Sequence, residues 1–390
     1  MEKLNVGIIG CGNISTTYLE LAPLFRAISV KAVADIDTAA AQVRATEFGV
    51  RAESVEDLLA ADDIHIIVNL TIPSAHYRLT RRILEAGKHA YSEKPLVMTL
   101  QEGKDLRDLA AARGLRIGSA PDTFLGGSHQ LARARLDEGL IGAVVGGTCH
   151  VMSRGMEHWH PNPDFFFHAG AGPMLDLGPY YVTNLVQLLG PVHAVSAMAT
   201  TSFATRTIGN GPRLGEAIDV ETPTNIHALL EFASGVIVTI AASWDVQAHR
   251  HEAIEIYGAE GSLYIPDPNI FGGEVEFADS EDKPAVLPSQ DHPFGIPNTE
   301  DDQGVAQANY RCAGLADMAD AVINGKPHRC NIDLALHVID VLTSILTSAD
   351  KRQWVEMSTS CHRPEPLSPE QAHALLATID HRNSSNVARY

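Results

Sequence analysis

Val6-Gly7-Ile8-Ile9-Gly10-Cys11-Gly12-Asn13-Ile14-Ser15 stands near the head of the chain and decides the fold. A short apolar strand runs straight into Gly10-x-Gly12-x-x-Ser15, and a helical pattern follows. Gly10 suits a tight turn, and Gly12 lets backbone approach a pyrophosphate lying on the helix N-terminus. Ser15 takes the place of a third glycine and is small enough for close helix–strand packing. Asp35 ends the next strand, Val30–Ala34, about 20 residues past the loop. An acid there accepts ribose hydroxyls and repels a 2′-phosphate, so the expected cofactor is NAD, with NADP less favoured. Asp37, two residues on, is the competing acid.

Working outward, strands and helices alternate as far as Asp122. Val6–Ile9, Val30–Ala34, Ile64–Leu70, His89–Tyr91 and Arg116–Ser119 read as strands. Thr16–Phe25, Thr38–Phe48, Val55–Leu59, His76–Glu85 and Leu100–Arg113 read as helices. That rhythm predicts an α/β fold whose N-terminal domain, residues 1–122, is a Rossmann doubly wound parallel sheet. A second domain, 123–366, opens with a helix at Ser128–Glu138. Its long strands, Val144–Ser153, Val192–Thr200, Ile226–Phe232, Val236–Ser243, His251–Tyr257 and Ser262–Ile265, alternate apolar with polar residues. They predict a large, mainly antiparallel open sheet with one covered face. One apolar helix is expected over Met174–Leu189, and further helices over Tyr310–Ile323 and Leu334–Ser348. Pro266–Gly304 reads as a surface excursion with one strand, Glu274–Phe277. Residues 367–390 read as a last helix capped by Ser368-Pro369 and a mobile tail.

The 390 residues carry 29 Lys and Arg against 48 Asp and Glu, a net charge of −19. No basic block interrupts the acidity, so nucleic acid and anionic membrane are poor partners and a small molecule is the expected one. The five cysteines are scattered with no CxxC spacing, which reads as reduced thiols. No run of 18 or more apolar residues appears, and no export signal precedes the first strand. The cytoplasm is the expected compartment.

Chemistry is expected where Gly87-Lys88-His89-Ala90-Tyr91-Ser92-Glu93-Lys94-Pro95 carries a lysine to the carboxyl end of a strand, the edge of an open sheet where ligands gather. The stretch Thr71-Ile72-Pro73-Ser74-Ala75-His76 follows another strand and leaves backbone near a nucleotide. His76 reads equally as a contact to the nicotinamide ribose and as a solvated residue of a helix's first turn. In the second domain Asp176 and Tyr180 are four apart, on one helix face. A free tyrosine is a weak base, with a reference pKa of about 10. A neighbouring ammonium favours its phenolate, and Lys94 is placed to supply one. Tyr181 is an alternative to Tyr180. Trp159 and His160, within Glu157–His168, offer an aromatic face and polar tips suited to a sugar ring. His158, His160 and His168 lack a metal-ligand spacing, so no metal is expected.

These residues together resemble the Gfo/Idh/MocA oxidoreductases over nearly the whole chain, from Val6 to about Leu346. The matching elements are Gly10-Cys11-Gly12-Asn13-Ile14, Ala34-Asp35, Ala86-Gly87-Lys88-His89, Glu93-Lys94-Pro95, Gly170-Ala171-Gly172 through Gly178, and Gly258-Ala259-Glu260-Gly261-Ser262. The resemblance implies NAD(P)-linked hydride chemistry on a sugar, sugar acid or cyclic polyol, and homodimers or homotetramers formed through the open sheet. It implies Lys94 and Asp176 as catalytic residues, while Asn13, Ile14, Thr71, Pro73, Glu93 and Lys94 are expected at the cofactor. Lys94, Asp176 and Tyr180 are expected to touch substrate as well. The chain departs from the family pattern in having Tyr180 where most members have histidine, and Thr183 where they have aspartate. Two other readings are an enzyme of the same fold that keeps and recycles a tightly bound NAD, and a non-catalytic NAD-sensing or scaffold protein.

Overall fold

The structure, a computed structural model, describes residues 3–280, 283–301 and 304–377. The expected mobile tail lies outside them. In the N-terminal domain β1 (Leu4–Ile9), β2 (Ile28–Ala34), β3 (Arg51–Glu53), β4 (Ile66–Asn69), β5 (His89–Ser92) and β6 (Ile117–Ser119) form one sheet in the order β3-β2-β1-β4-β5-β6. Every pairing in it is parallel. The helices α1 (Asn13–Leu21), α2 (Thr38–Phe48), α3 (Val55–Ala60), α4 (Pro73–Glu85) and α5 (Leu100–Arg113) make the crossovers. The order reverses between β1 and β4, so a crevice opens at the carboxyl ends of those strands. The edge strand β3 reads Arg-Ala-Glu and has no apolar run to announce it. Helix α1 starts at Asn13 instead of Thr16 and stops at Leu21, ahead of Pro23.

The second domain begins with α6 (Gly127–Asp137) and β7 (Val144–Met152), then α7 (Pro173–Asp176), α8 (Gly178–Leu189) and β8 (Val192–Thr200). A small hairpin, β9 (Thr205–Thr207) and β10 (Ala217–Asp219), precedes β11 (Asn225–Phe232), β12 (Ile237–Ser243), β13 (Ile254–Gly258) and β14 (Ser262–Ile265). Short strands β15 (Glu276–Ala278), β16 (Ala285–Val286), β17 (Thr299–Glu300) and β18 (Ala306–Gln307) lead to α9 (Ala313–Asn324), α10 (Ile332–Lys351), β19 (Val355–Glu356) and α11 (Pro369–Leu375). Nine of these strands make one sheet, β16-β15-β14-β13-β7-β12-β11-β8-β19. Only the β7–β12 pairing within it is parallel. In β11, Ile226, Ala228, Leu230 and Phe232 are buried while His227 and Leu229 face out, the alternation of a sheet covered on one side.

Three features differ from the sequence reading. The helix expected over Met174–Leu189 breaks at Leu177 into α7 and α8. Pro179 supplies no N–H and its ring would clash with the carbonyl four residues back, so the turn cannot run through. The excursion 266–304 is anchored: Phe271, Val275 and Phe294 are buried, and Phe294 meets Phe25 at 5.9 Å and Tyr310 at 5.0 Å between ring centroids. By length and composition α10 is apolar enough to cross a membrane. Here it is a core helix against β8, α8 and α5, with Leu336, Val338, Val341, Leu342 and Ile345 buried.

Burial of imidazoles sets an acid limit on this fold. His129 donates from Nε2 to the Ile270 carbonyl at 2.8 Å, and its Nδ1 lies 3.2 Å from the Asn184 amide. His292 pairs likewise with the Leu367 carbonyl and the Phe294 N–H. Burial pushes both rings down to about 4. Their folded pKa lies below the unfolded value of about 6.5, so the stability they lend is complete above pH 6.5 and is lost as pH falls toward 4. Buried Asp122, pushed up to about 6 by burial, works the other way, gaining stability as pH falls from 6 toward its unfolded value. Burial holds His89 near 4 as well, so three imidazoles outweigh one carboxyl. The urea midpoint is expected to drop between pH 7 and pH 5 by an amount worth about 4 kcal/mol. A midpoint flat over that range contradicts neutral buried rings.

Candidate active site

The crevice at the β1–β4 switch is shaped for a dinucleotide. Gly10 has φ 106°, and a Cβ there would sit 2.6 Å from the backbone of Leu70, so only glycine closes this turn. A Cβ on Gly12 would meet nothing within 4 Å: the space above it is open. Helix α1 has no side-chain cap and no acid in its first turn. Its leading N–H groups are therefore free to hold an anion. Ser15 is buried and donates its hydroxyl to the Gly12 carbonyl at 2.6 Å, which fits a hydroxyl where a third glycine is usual. Asn13 and Ile14 form the opening turn of α1.

Asp35 lies beside this loop, accepting from the Cys11 N–H at 2.7 Å and the Asp37 N–H at 2.9 Å. Asp37 is occupied otherwise, capping α2 through the N–H groups of Ala39 and Ala40. Between the two acids Ile36 is 97% exposed, an apolar face in solvent where an adenine ring would need one. An exposed large apolar residue beside a strand-end acid is a signal the sequence reading passed over. These features fit NAD, with pyrophosphate on α1 and ribose at Asp35.

Opposite, Thr71 is pinned to Asn69 through its hydroxyl at 2.7 Å, and Pro73 opens α4. His76 is corrected: it is 1% exposed, with Nδ1 2.7 Å from the Pro95 carbonyl and Nε2 2.8 Å from that of Thr71. Both nitrogens face carbonyls, so the ring is neither solvated nor free for a ribose. It ties the Thr71 loop to the segment carrying Lys94. Glu93 is a second tie, accepting from the Tyr18 hydroxyl at 3.0 Å and the Lys94 N–H at 3.0 Å.

Lys94 reaches across to the second domain. Its ammonium donates to the Asp176 carbonyl at 2.7 Å and the Asp176 carboxylate at 3.0 Å, and lies 5.2 Å from the centroid of the Tyr180 ring. Two of three N–H donors are thus placed, and one remains for a ligand. Burial pushes this ammonium down, but Tyr180, Asp176 and Glu93 together overcome that and hold it above its ordinary value. The lysine is therefore a permanent cation. Asp176 ends α7 and Tyr180 lies in α8, so they meet Lys94 from two helical pieces, not from one helix face. Burial, with Asp267 beside it, pushes the Tyr181 phenol up, which leaves Tyr180 as the phenol next to cations. Thr183 is buried in α8. Sequence reasoning missed Arg311, whose Nη1 lies 3.5 Å from the Tyr180 hydroxyl.

A cavity of about 410 Å³ adjoins Lys94 and Asp176 and is lined also by Pro73, Ser74, Met98, Phe165, Phe166 and Leu175. The expected Trp159 and His160 stand one layer back. His160 packs edge-on against Phe165 and Phe166 at 5.4 Å, and Trp159 edge-on against His160 at 5.3 Å, itself 58% exposed. The loop is fixed from below by Arg206, which bonds Glu157 at 2.9 Å and pairs with Asp245, and by Phe166 and Phe167 against Trp244. His158, His160 and His168 go to separate partners: Glu157, the Asn162 N–H and Glu221. Among the described residues the grouping of potential metal ligands is His150, His251 and Glu255, on the outer sheet face. The two rings there stack at 3.9 Å and 12°, so their in-plane lone pairs do not converge on one point.

A Rossmann crevice whose lysine meets an acid and a phenol from a second α/β domain defines a dinucleotide-linked oxidoreductase. Comparison with known proteins agrees. Residues 4–120 match the profile of an oxidoreductase family with an NAD-binding Rossmann fold, and residues 129–264 that of the GFO/IDH/MocA C-terminal domain. The chain belongs to the Gfo/Idh/MocA oxidoreductases. It is 25% identical to the levoglucosan dehydrogenase of Pseudarthrobacter phenanthrenivorans over 92% of this chain and 99% of that protein. It is 25% identical to the 1,5-anhydro-D-fructose reductase of Ensifer adhaerens over 66% of this chain and 74% of the other. An NAD-binding oxidoreductase from Klebsiella pneumoniae has the same fold, with a TM-score of 0.77 at 24% identity over 92% of this chain and all of that one.

Proposed function

We propose that the protein is an NAD-dependent dehydrogenase or reductase of a sugar, sugar acid or cyclic polyol. The observation that carries this is the convergence of Lys94 with Asp176 and Tyr180, with Lys94 and Asp176 also lining the aromatic-walled cavity. When bound, the nicotinamide supplies the hydride acceptor or donor. The residues of the chain manage everything else. Lys94 uses its remaining N–H to hold the reacting oxygen, Asp176 orients that ammonium, and Tyr180 takes or returns the proton. Phe165 and Phe166 give an apolar wall for the carbon face of a sugar ring. Relatives named for levoglucosan and for 1,5-anhydro-D-fructose support that substrate class. Assembly of like subunits through the outer face of the nine-stranded sheet belongs to the same proposal, and exposed Met198, Leu229 and Ile237 favour it.

The test is a screen of aldoses, anhydro sugars, sugar acids and cyclic polyols with NAD present, read by NADH absorbance and thermal shift. NADH formation with at least one ring substrate is expected. Stabilisation by NAD with no turnover of any of them contradicts an enzymatic role.

A further inference from the structure

Arg311 sits in the turn before α9, and nothing in the surrounding sequence marks it. Its guanidinium is largely enclosed, yet among the described residues no carboxylate lies within ion-pairing distance of it. Nη1 is 3.5 Å from the Tyr180 hydroxyl, Nη2 is 3.3 Å from the Asn269 amide oxygen, and Cζ is 5.7 Å from the Tyr180 ring centroid. Glu93 and Asp122 act on it only through space. The backbone is held in an unusual shape at this point. Cys312 has φ 91°, rare for a side chain with a Cβ, and its thiol is buried 3.6 Å from the Tyr18 carbonyl. Such conformations persist where surroundings fix them, often beside functional groups. With no carboxylate in direct contact, the guanidinium has the Tyr180 oxygen as its nearest possible anion, one that forms if that phenol gives up its proton.

We infer that Arg311 is a positioning residue for proton transfer: its guanidinium holds the phenol oxygen of Tyr180 and, together with Lys94, stabilises the phenolate. This rests on the proposed role of Tyr180. The charged groups around that phenol are Lys94 from the end of β5, Arg311 from the turn before α9, and Asp176 from α7, itself engaged by Lys94. Glu93 and Asp122 face the cations from the Rossmann side, and Tyr181 with Asp267 lies on the adjoining side of α8. Two cations over one ring favour its anion.

The experiment measures kcat and KM against pH for the wild type, Arg311→Met and Arg311→Lys, alongside ultraviolet tyrosinate titration of each with a Tyr180→Phe subtraction. In Arg311→Met the acidic limb of kcat/KM and the Tyr180 titration should both move up by roughly one pH unit or more. At pH 7, kcat should fall about tenfold and recover in alkali, with KM little changed. Arg311→Lys should restore part of both shifts. An unmoved Tyr180 titration overturns the inference. So does a defect confined to KM for carboxylate-bearing substrates, which would make Arg311 a substrate anchor. If the wild type turns over nothing, the dehydrogenase reading falls, and the tyrosinate titration still decides Arg311 by itself.

Discussion

Lys94→Met is expected to slow turnover by roughly 10²-fold or more while leaving NAD bound, the scale of losing a positioned acid–base partner. Methionine keeps most of the apolar stem and removes only the ammonium. Three things go with it: the hydrogen bonds to Asp176, the cation beside the Tyr180 ring, and the donor left over for substrate. The Asp176 side chain is 24% exposed, so its carboxylate regains water and the variant stays folded. The proposed cofactor contacts at Gly10, Gly12 and Asp35 follow other strands and are untouched. Calorimetric NAD binding near the wild-type value with collapsed kcat is the expected pair of results. Unchanged turnover removes Lys94 from the chemistry.

Asp35→Asn is expected to shift the ratio of NADP to NAD dissociation constants by on the order of 10²-fold in favour of NADP. The estimate follows from Coulomb repulsion between a carboxylate and a phosphate a few ångströms apart at an effective dielectric near 20. Asparagine is the cleaner test, because its amide oxygen still accepts from the Cys11 N–H and keeps the glycine turn in place. Alanine would lose both functions together. Equal binding of the two cofactors by the wild type, or a ratio unmoved in the variant, contradicts Asp35 as the discriminating acid.

Much of the site was legible because it obeys local grammar. A glycine turn after an apolar strand, an acid ending the next strand and a lysine at a third strand's carboxyl end each follow from a few consecutive residues. Parallel topology then brings Gly10, Asp35 and Lys94 to one rim without further information. What was not legible depends on closure between distant segments. Arg311 meets Tyr180 across 131 residues, and its placement rests on how the excursion through Asn269 packs. His76 has the sequence context of a solvated helix start, and only the approach of Pro95 turns it into a buried tie. In the aromatic loop, composition pointed to a segment that lines the cavity but not to which rings face inward. Arg206 and Trp244, from elsewhere in the chain, turn Phe165 and Phe166 to the cavity and leave Trp159 outside.

The most direct measurement is a double-mutant cycle on single-turnover rates, comparing Lys94→Met, Tyr180→Phe and the pair. If ammonium and phenol serve one proton-transfer step, the double variant should be about as slow as the slower single one, the non-additivity of residues acting as a unit. Losses that multiply would mean the two groups work independently, and the shared site described for them would be wrong.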